Sequence, residues 1–124
     1  MKNKKNISIL FLIFFFINCN LVYGEEIVFE TPEIEALSGE IIKANKGGKA
    51  VINSNSEILA DKFTYNKKIK VLTAEGNVLI VDKLNDIITE SNKIIYEKNL
   101  EKYFSEGITK IKIQNKYIIN SKNV

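Results

Sequence analysis

The sequence predicts an all-β fold of antiparallel strands, on three observations. Val, Ile, Thr, Tyr and Phe, which suit a pleated and half-buried backbone, recur in short runs after residue 24. Apolar and polar residues alternate most clearly over 108–119, where Ile111 and Ile113 fall on one face, which predicts a strand with one buried face. Helical periodicity is not sustained anywhere after residue 24, since the nearest candidate, 33–44, is interrupted by a Ser-Gly pair. Strands therefore account for the whole predicted domain.

Residues 1–24 have the organisation of a secretory signal peptide. Three lysines within the first five residues precede the apolar run ISILFLIFFFI (7–17), and Val22 and Gly24 occupy the −3 and −1 positions of a cleavage site. The apolar run is much shorter than the roughly 20 residues that a membrane-spanning helix needs. We therefore expect an exported protein with a cleavable signal peptide, 1–24, followed by one domain, 25–124.

Cys19, the only cysteine, leaves a second interpretation of this segment open. The acylated cysteine of a lipoprotein also follows an apolar run, but Asn18 stands where lipoprotein signals favour Gly or Ala. Cleavage after Gly24 is the preferred prediction, and it removes Cys19 from the mature chain. A disulfide is then excluded, although an exported protein could form one.

Charge and residue types exclude several classes of function. The net charge of +3 comes from Lys2, Lys4 and Lys5, and without them the 18 basic residues become 15, which balance the 15 acids. No basic surface for nucleic acid is expected from such a balance. The chain has no His, Trp or Arg, so it cannot build catalytic triads on His or arginine clamps on phosphate. Cleavage after Gly24 also leaves no Cys, which excludes thiolate zinc sites in the mature domain. We expect a protein that is not an enzyme and that uses no cofactor or metal.

A sequence repeat with a constant offset organises the domain. The same offset places Phe63 on Ile94, Tyr65 on Tyr96 and Gly76 on Gly107, and a looser match begins near residue 44. Repeats of this length indicate stacked supersecondary units that cannot bury their apolar faces alone.

Each repeat unit consists of a strand, a polar turn, a second strand, a glycine and a third strand. Asn66 and Asn99 are expected in the turns, where Asn tolerates left-handed backbone, and Gly76 and Gly107 are expected at a bulge or bend. Because these turns are too short for a crossover, neighbouring strands should be antiparallel. The units are therefore predicted to be stacked β-meanders.

The motif A-D-x-F-x-Y, followed by x-A-x-G-N-V, resembles the OstA-like repeat of the lipopolysaccharide-transport proteins of Gram-negative bacteria. The residues that carry it are Ala60, Asp61, Phe63, Tyr65, Ala74, Gly76, Asn77 and Val78. The resemblance is sharp over 58–80 and extends over about 27–124. In the second copy Asn92 replaces the aspartate, and Ile108-Thr109 replaces Asn-Val.

The resemblance implies an open, twisted β-jelly roll whose apolar interior holds the acyl chains of lipopolysaccharide. It also implies that exposed edge strands join other OstA-like domains of the transport bridge. The family builds both the periplasmic bridge protein and the periplasmic domain of the outer-membrane assembly protein. We expect a periplasmic location, associated with the outer membrane if the chain belongs to the assembly protein. Because a third copy has only begun at residue 124, we expect an N-terminal piece of that longer protein rather than the complete bridge.

The expected groove lining consists mainly of positions that are apolar in both copies. The residues are Phe63, Tyr65, Leu72, Val78, Ile80, Ile94, Tyr96, Tyr103, Ile111 and Ile113. Thr73 and Phe104 are further candidates, whereas Leu79 and Val81 align with lysines and are expected on the outer face. Two alternatives stay open: the same residues could pack together in a closed sandwich, and the two repeated tyrosines could anchor hairpins with their hydroxyls in water.

Two other classes of protein share some of these features. An exported structural or adhesive β-repeat without a lipid ligand would also be repetitive, but the parallel coils of a solenoid would not need the tight turns. A closed lipid-binding barrel of the lipocalin type would need about eight strands and gives no reason for the repeat.

Overall fold

Eleven strands form one antiparallel sheet in the computed structural model, which describes residues 26–124. The strands are β1 (Val28–Glu30), β2 (Glu35–Ala36), β3 (Ile41–Ala44), β4 (Gly48–Val51), β5 (Ser56–Ala60), β6 (Lys62–Asn66), β7 (Val71–Asp82), β8 (Ile87–Glu97), β9 (Lys102–Glu106), β10 (Ile108–Ile113) and β11 (Tyr117–Lys122). The sheet curls into a half-barrel, so the predicted all-β antiparallel fold is confirmed. The predicted signal peptide, 1–24, and with it Cys19, lies outside the described residues.

The sheet is built from bent segments, which we call rungs. Each rung is one long strand, or two consecutive strands joined by a short corner, and its two halves lie in different parts of the sheet, which we call wings. β7 shows this best, because its first half pairs with β6, its second half pairs with β5, and β8 follows it along its whole length. We call wing A the part formed by β2, β3, β6, the first half of β7, the second half of β8, and β9. Wing B contains β1, β4, β5, the other halves of β7 and β8, and β10 and β11.

The bent rungs explain the length of the sequence repeat. Rungs begin at nearly equal intervals along the chain, at Ile41, Ser56, Val71, Ile87 and Lys102. Neighbouring rungs run in opposite directions, so equivalent residues recur only in every second rung. The repeat length is therefore two rungs and their turns, and it follows directly from antiparallel pairing.

Each rung bends at a corner, and the corner residue is an Asp or Asn in one rung and a glycine in the next. Gly76, with φ of 78°, lies where the pairing of β7 with β8 is irregular, and Gly107, with φ of 92°, separates β9 from β10. Asp61 donates its backbone N–H to the carbonyl of Gly76 at 2.9 Å, and Asn123 donates to Gly107 at 3.0 Å. Glycine tolerates positive φ without a steric penalty, so the two glycines occupy the points where their rungs turn from one wing to the other.

The turns at the wing ends correct one prediction about asparagine. Asn66 is not left-handed: its side-chain oxygen accepts hydrogen bonds from the backbone of Lys68 (3.0 Å) and Ile69 (3.3 Å), and the left-handed residue of this turn is Lys70. Asn99 lies in the corresponding turn of the next copy, where Glu101 is the left-handed residue. The side-chain oxygen of Asn66 thus accepts hydrogen bonds from the backbone N–H groups of the turn, and this role does not require a positive φ at the asparagine itself.

The single strand predicted over 108–119 is two strands. β10 ends at Ile113, Gln114 and Asn115 have positive φ, and β11 returns antiparallel to β10 with Ile111 opposite Ile119. Alternation alone could not show the reversal, because apolar residues keep the same spacing on both sides of the turn.

The inward residues of both wings form one core. Its buried hydrophobic members are Ala44, Ala50, Ile52, Ile58, Ala60, Phe63, Tyr65, Leu72, Ala74, Val78, Ile80, Ile94 and Tyr96. Phe29 of wing B crosses the interior to wing A, with its ring centroid 5.9 Å from that of Phe63 and 6.0 Å from that of Tyr65. Within residues 26–124, no helix is long and apolar enough to cross a membrane.

Candidate functional site

The ten residues predicted to line a groove all lie on the inward side of their strands. Seven are buried: Phe63, Tyr65, Leu72, Val78, Ile80, Ile94 and Tyr96. Tyr103, Ile111 and Ile113 are half-buried. Leu79 and Val81, predicted outside, have the opposite parity and pair along the outer face with β5 and β8.

The prediction for the two further candidates, Thr73 and Phe104, is wrong. Both pair with Ile95 on the outer face of wing A, and Phe104 is 41% exposed. Tyr103 and Ser105 occupy the inward positions of β9, so period-two geometry turns Phe104 outward.

The larger cleft between the wings has a volume of about 940 Å³. Its apolar side is formed by Ile27, Phe29, Ile42, Ile52, Tyr65 and Tyr96. Its polar rim is formed by Glu26, Asn53, Lys67, Lys70, Lys98, Asn99 and Glu101. Only the two tyrosines were among the predicted lining residues, since the aliphatic members come from the N-terminal rungs, where the sequence repeat is loose.

A smaller pocket of about 220 Å³ lies beside the C-terminal repeat. Its walls come from both wings: Ile80, Asp82, Ile87, Thr89, Ile94, Tyr103, Ser105, Thr109, Ile111 and Val124. Four of the predicted residues line it, whereas Phe63, Leu72, Val78 and Ile113 line neither opening. Phe63, Leu72 and Val78 instead belong to the packed floor.

A buried hydroxyl cluster lies at the floor of the smaller pocket. Thr109 donates its hydroxyl to that of Ser105 at 2.7 Å and lies 3.1 Å from the hydroxyl of Ser91, while the backbone N–H of Val124 donates to Ser105 at 2.9 Å. The equivalent positions of the first copy are all hydrocarbon: Ala60, Ala74 and Val78. Ser91 also donates to the backbone carbonyl of Lys93 at 3.3 Å, and the described residues contain no buried side-chain polar atom without a partner. Sequence comparison of the two copies could have revealed this substitution pattern.

Two tyrosines from adjacent rungs connect the two openings. The rings of Tyr96 and Tyr103 stack with centroids 4.6 Å apart. Burial raises the pKa of Tyr103 to about 12, with smaller contributions from Tyr96 and Asp82. Burial also raises the pKa values of Tyr65 and Tyr96. All three phenols are therefore neutral at physiological pH, and the surface that they offer a ligand is an uncharged aromatic one.

The described part of the chain contains no group of three or more His, Cys, Asp or Glu side chains that could hold a metal ion. Comparisons with known protein families, with curated proteins and with solved structures found no match.

Proposed function

We propose that this protein is a periplasmic module that holds the acyl chains of lipopolysaccharide between its wings during transport to the outer membrane. The observation that carries the proposal is the open cleft of about 940 Å³, whose apolar side is aliphatic and aromatic. An acyl chain has no polar group to be recognised, so its host needs a continuous apolar surface rather than charges or nucleophiles. Removing apolar surface from water is worth about 25 cal/mol per Å², which makes burial of long chains strongly favourable.

The free edges of the sheet support a role in a row of similar domains that are joined edge to edge. Among the described strands, β11 pairs only with β10, and its Tyr117, Ile118 and Ile119 are 64%, 60% and 47% exposed. An unpaired apolar edge is an aggregation hazard unless a partner strand covers it. We propose that an antiparallel strand covers this edge by strand addition: the next repeat of this chain where the sequence continues, and an edge strand of another OstA-like domain after the last repeat. In the 124-residue protein, a photo-crosslinking residue at Ile119 should then give adducts with another protein, and their absence from cells with working transport would contradict this pairing.

The lipid proposal is tested by comparing inward and outward positions that are adjacent in sequence. A photo-crosslinking amino acid is placed singly at Tyr96 or Ile80, which line the openings, and at Ile95 or Leu79, which lie on the outer face. Each variant is irradiated in living Gram-negative cells and probed for lipopolysaccharide. We expect adducts from the inward pair and not from the outward pair, because only the inward side contacts the bound chains.

Equal labelling of all four positions would indicate non-specific contact with membranes and would contradict the proposal. Absence of lipid adducts from every position, in variants that are folded and exported, would leave an exported β-repeat scaffold without a ligand as the better interpretation.

A further inference from the structure

The larger cleft has a basic rim beside its apolar floor. Lys67, Lys70 and Lys98 all border it, and all three come from the turns at the end of wing A. Lys67 and Lys98 are related by the same offset as Tyr65 and Tyr96, so they are equivalent positions in the two copies. Lys67 and Lys98 are thus a repeated feature of this rim, whereas the equivalent of Lys70 in the second copy is Glu101.

Backbone hydrogen bonds stack the turns that carry these lysines. The N–H of Lys98 donates to the carbonyl of Lys70 at 3.0 Å, and the N–H of Lys67 donates to the carbonyl of Glu40 at 2.7 Å. The turns are therefore fixed relative to one another, and all three lysines lie along the same rim. Tyr65 and Tyr96, on the strands that lead into these turns, form the adjoining wall of the cleft.

Among the described residues, the rim lysines form no ion pair, as is also true of several lysines elsewhere, and what distinguishes them is their place beside the cleft. The ion pairs of the described residues use Lys46, Lys49, Lys83, Lys93 and Lys112. Lys67, Lys70 and Lys98 take part in none of them, and the three face only two glutamates, Glu26 and Glu101, around the cleft. An excess of cationic charge therefore borders the apolar floor.

We infer that the cleft takes an amphiphile with a phosphate head group, with its hydrocarbon on the floor and its phosphate against Lys67, Lys70 and Lys98. This inference rests on the proposed function and adds the head-group class and the residues that select it. Charge complementarity supports it: an ammonium group attracts phosphate as a point charge, and the attraction is stronger beside an apolar wall than in open water. The hydrocarbon supplies affinity, and the rim supplies selectivity.

The test uses two ligands that differ only in the head group. Binding of 1-palmitoyl-lysophosphatidic acid and of 1-palmitoylglycerol to the purified protein is measured by titration calorimetry below their micellar concentrations. We expect the phosphate ligand to bind roughly tenfold more tightly, the effect of a few solvent-exposed charge contacts together. The triple variant Lys67→Gln, Lys70→Gln, Lys98→Gln should lose this preference and keep its affinity for the neutral ligand.

The control variant Lys43→Gln, Lys62→Gln, Lys110→Gln removes the same charge from the outer face and should keep the preference. Glycerol 3-phosphate alone should not compete, since it lacks the hydrocarbon; competition would mean a site for free phosphate and would overturn the inference. Equal binding of both ligands to the unmodified protein would overturn it too, while leaving the proposed carrier role intact. Failure of both ligands to bind would count against the carrier role itself.

Discussion

At the residue scale, the corner at Gly76 depends on a close fit between this glycine and Asp61. An added Cβ at Gly76 would lie 2.6 Å from Oδ2 and 3.0 Å from Cβ of Asp61. The carboxylate that it would displace accepts a hydrogen bond from Nδ2 of Asn77 at 2.9 Å. Gly76 is therefore required both for its positive φ and for the space beside Asp61.

A series of glycine substitutions separates these two requirements. Gly76→Ala should destabilise the protein by about 2–3 kcal/mol, because it adds a steric clash to the backbone strain. Gly107→Ala should cost about 1 kcal/mol, since φ is also positive there but the nearest atom is 3.8 Å from the new Cβ. Gly39→Ala has no atom within 4 Å and serves as the control. Urea unfolding checks the order, and a cost at Gly76 no larger than at Gly39 would contradict this account.

At the element scale, the two copies of the repeat differ most where β8, β9 and β10 meet. Ser91, Ser105 and Thr109 form a hydrogen-bonded group there, in place of the alanines and valine of the first copy. A buried network of this kind is stable only when every member keeps its partners, so its members should not be independent.

Thr109→Val should therefore be more damaging than removal of the whole cluster. The single substitution removes one partner each from Ser91 and Ser105, which keep only their hydrogen bonds to the backbone of Lys93 and Val124, and it should cost about 1–3 kcal/mol. The triple variant Ser91→Ala, Ser105→Ala, Thr109→Val copies the first repeat, and we expect it to lie within about 1 kcal/mol of the unmodified protein. Both free energies of unfolding are measured in urea. A triple variant less stable than Thr109→Val would show that the hydroxyls contribute independently.

At the scale of the whole molecule, burial decreases from the central rungs to the C-terminal edge. β7 and β8 are paired along both edges and supply several fully buried side chains, whereas five of the six residues of β11 are exposed. Local opening free energies follow burial and pairing, so different parts of this one sheet should open separately.

Amide hydrogen exchange should reveal this gradient. We expect β11 to exchange first and β7 and β8 last, with opening free energies that differ by about 2 kcal/mol or more. Mass spectrometry of peptides from 71–82 and 117–122 provides the measurement. Equal protection of the two segments in the isolated protein would mean that the edge opens only with the whole domain, or that a partner strand already covers it.

Much of the architecture follows from local patterns. Alternation of apolar residues indicates which side of a strand is buried, and short polar turns require antiparallel neighbours. Phe63 and Ile94, equivalent across the repeat, are accordingly both buried. The reversal within 108–119 was not predicted, because apolar residues keep the same alternation on both sides of the turn at Gln114 and Asn115.

The sequence by itself determined the all-β class, the antiparallel order and the inward side of the central strands, because each depends on residue spacing along a few neighbouring positions. It also determined the length of the repeat, because equivalent residues recur at a constant offset. Only the tertiary structure decided which inward residues are packed and which face an opening. Phe63 is sealed in the core, whereas Tyr65, two residues later on the same face, borders the larger cleft with Ile42 and Ile52. That difference depends on how far apart the two wings lie at each position, and no local pattern of residues encodes this distance.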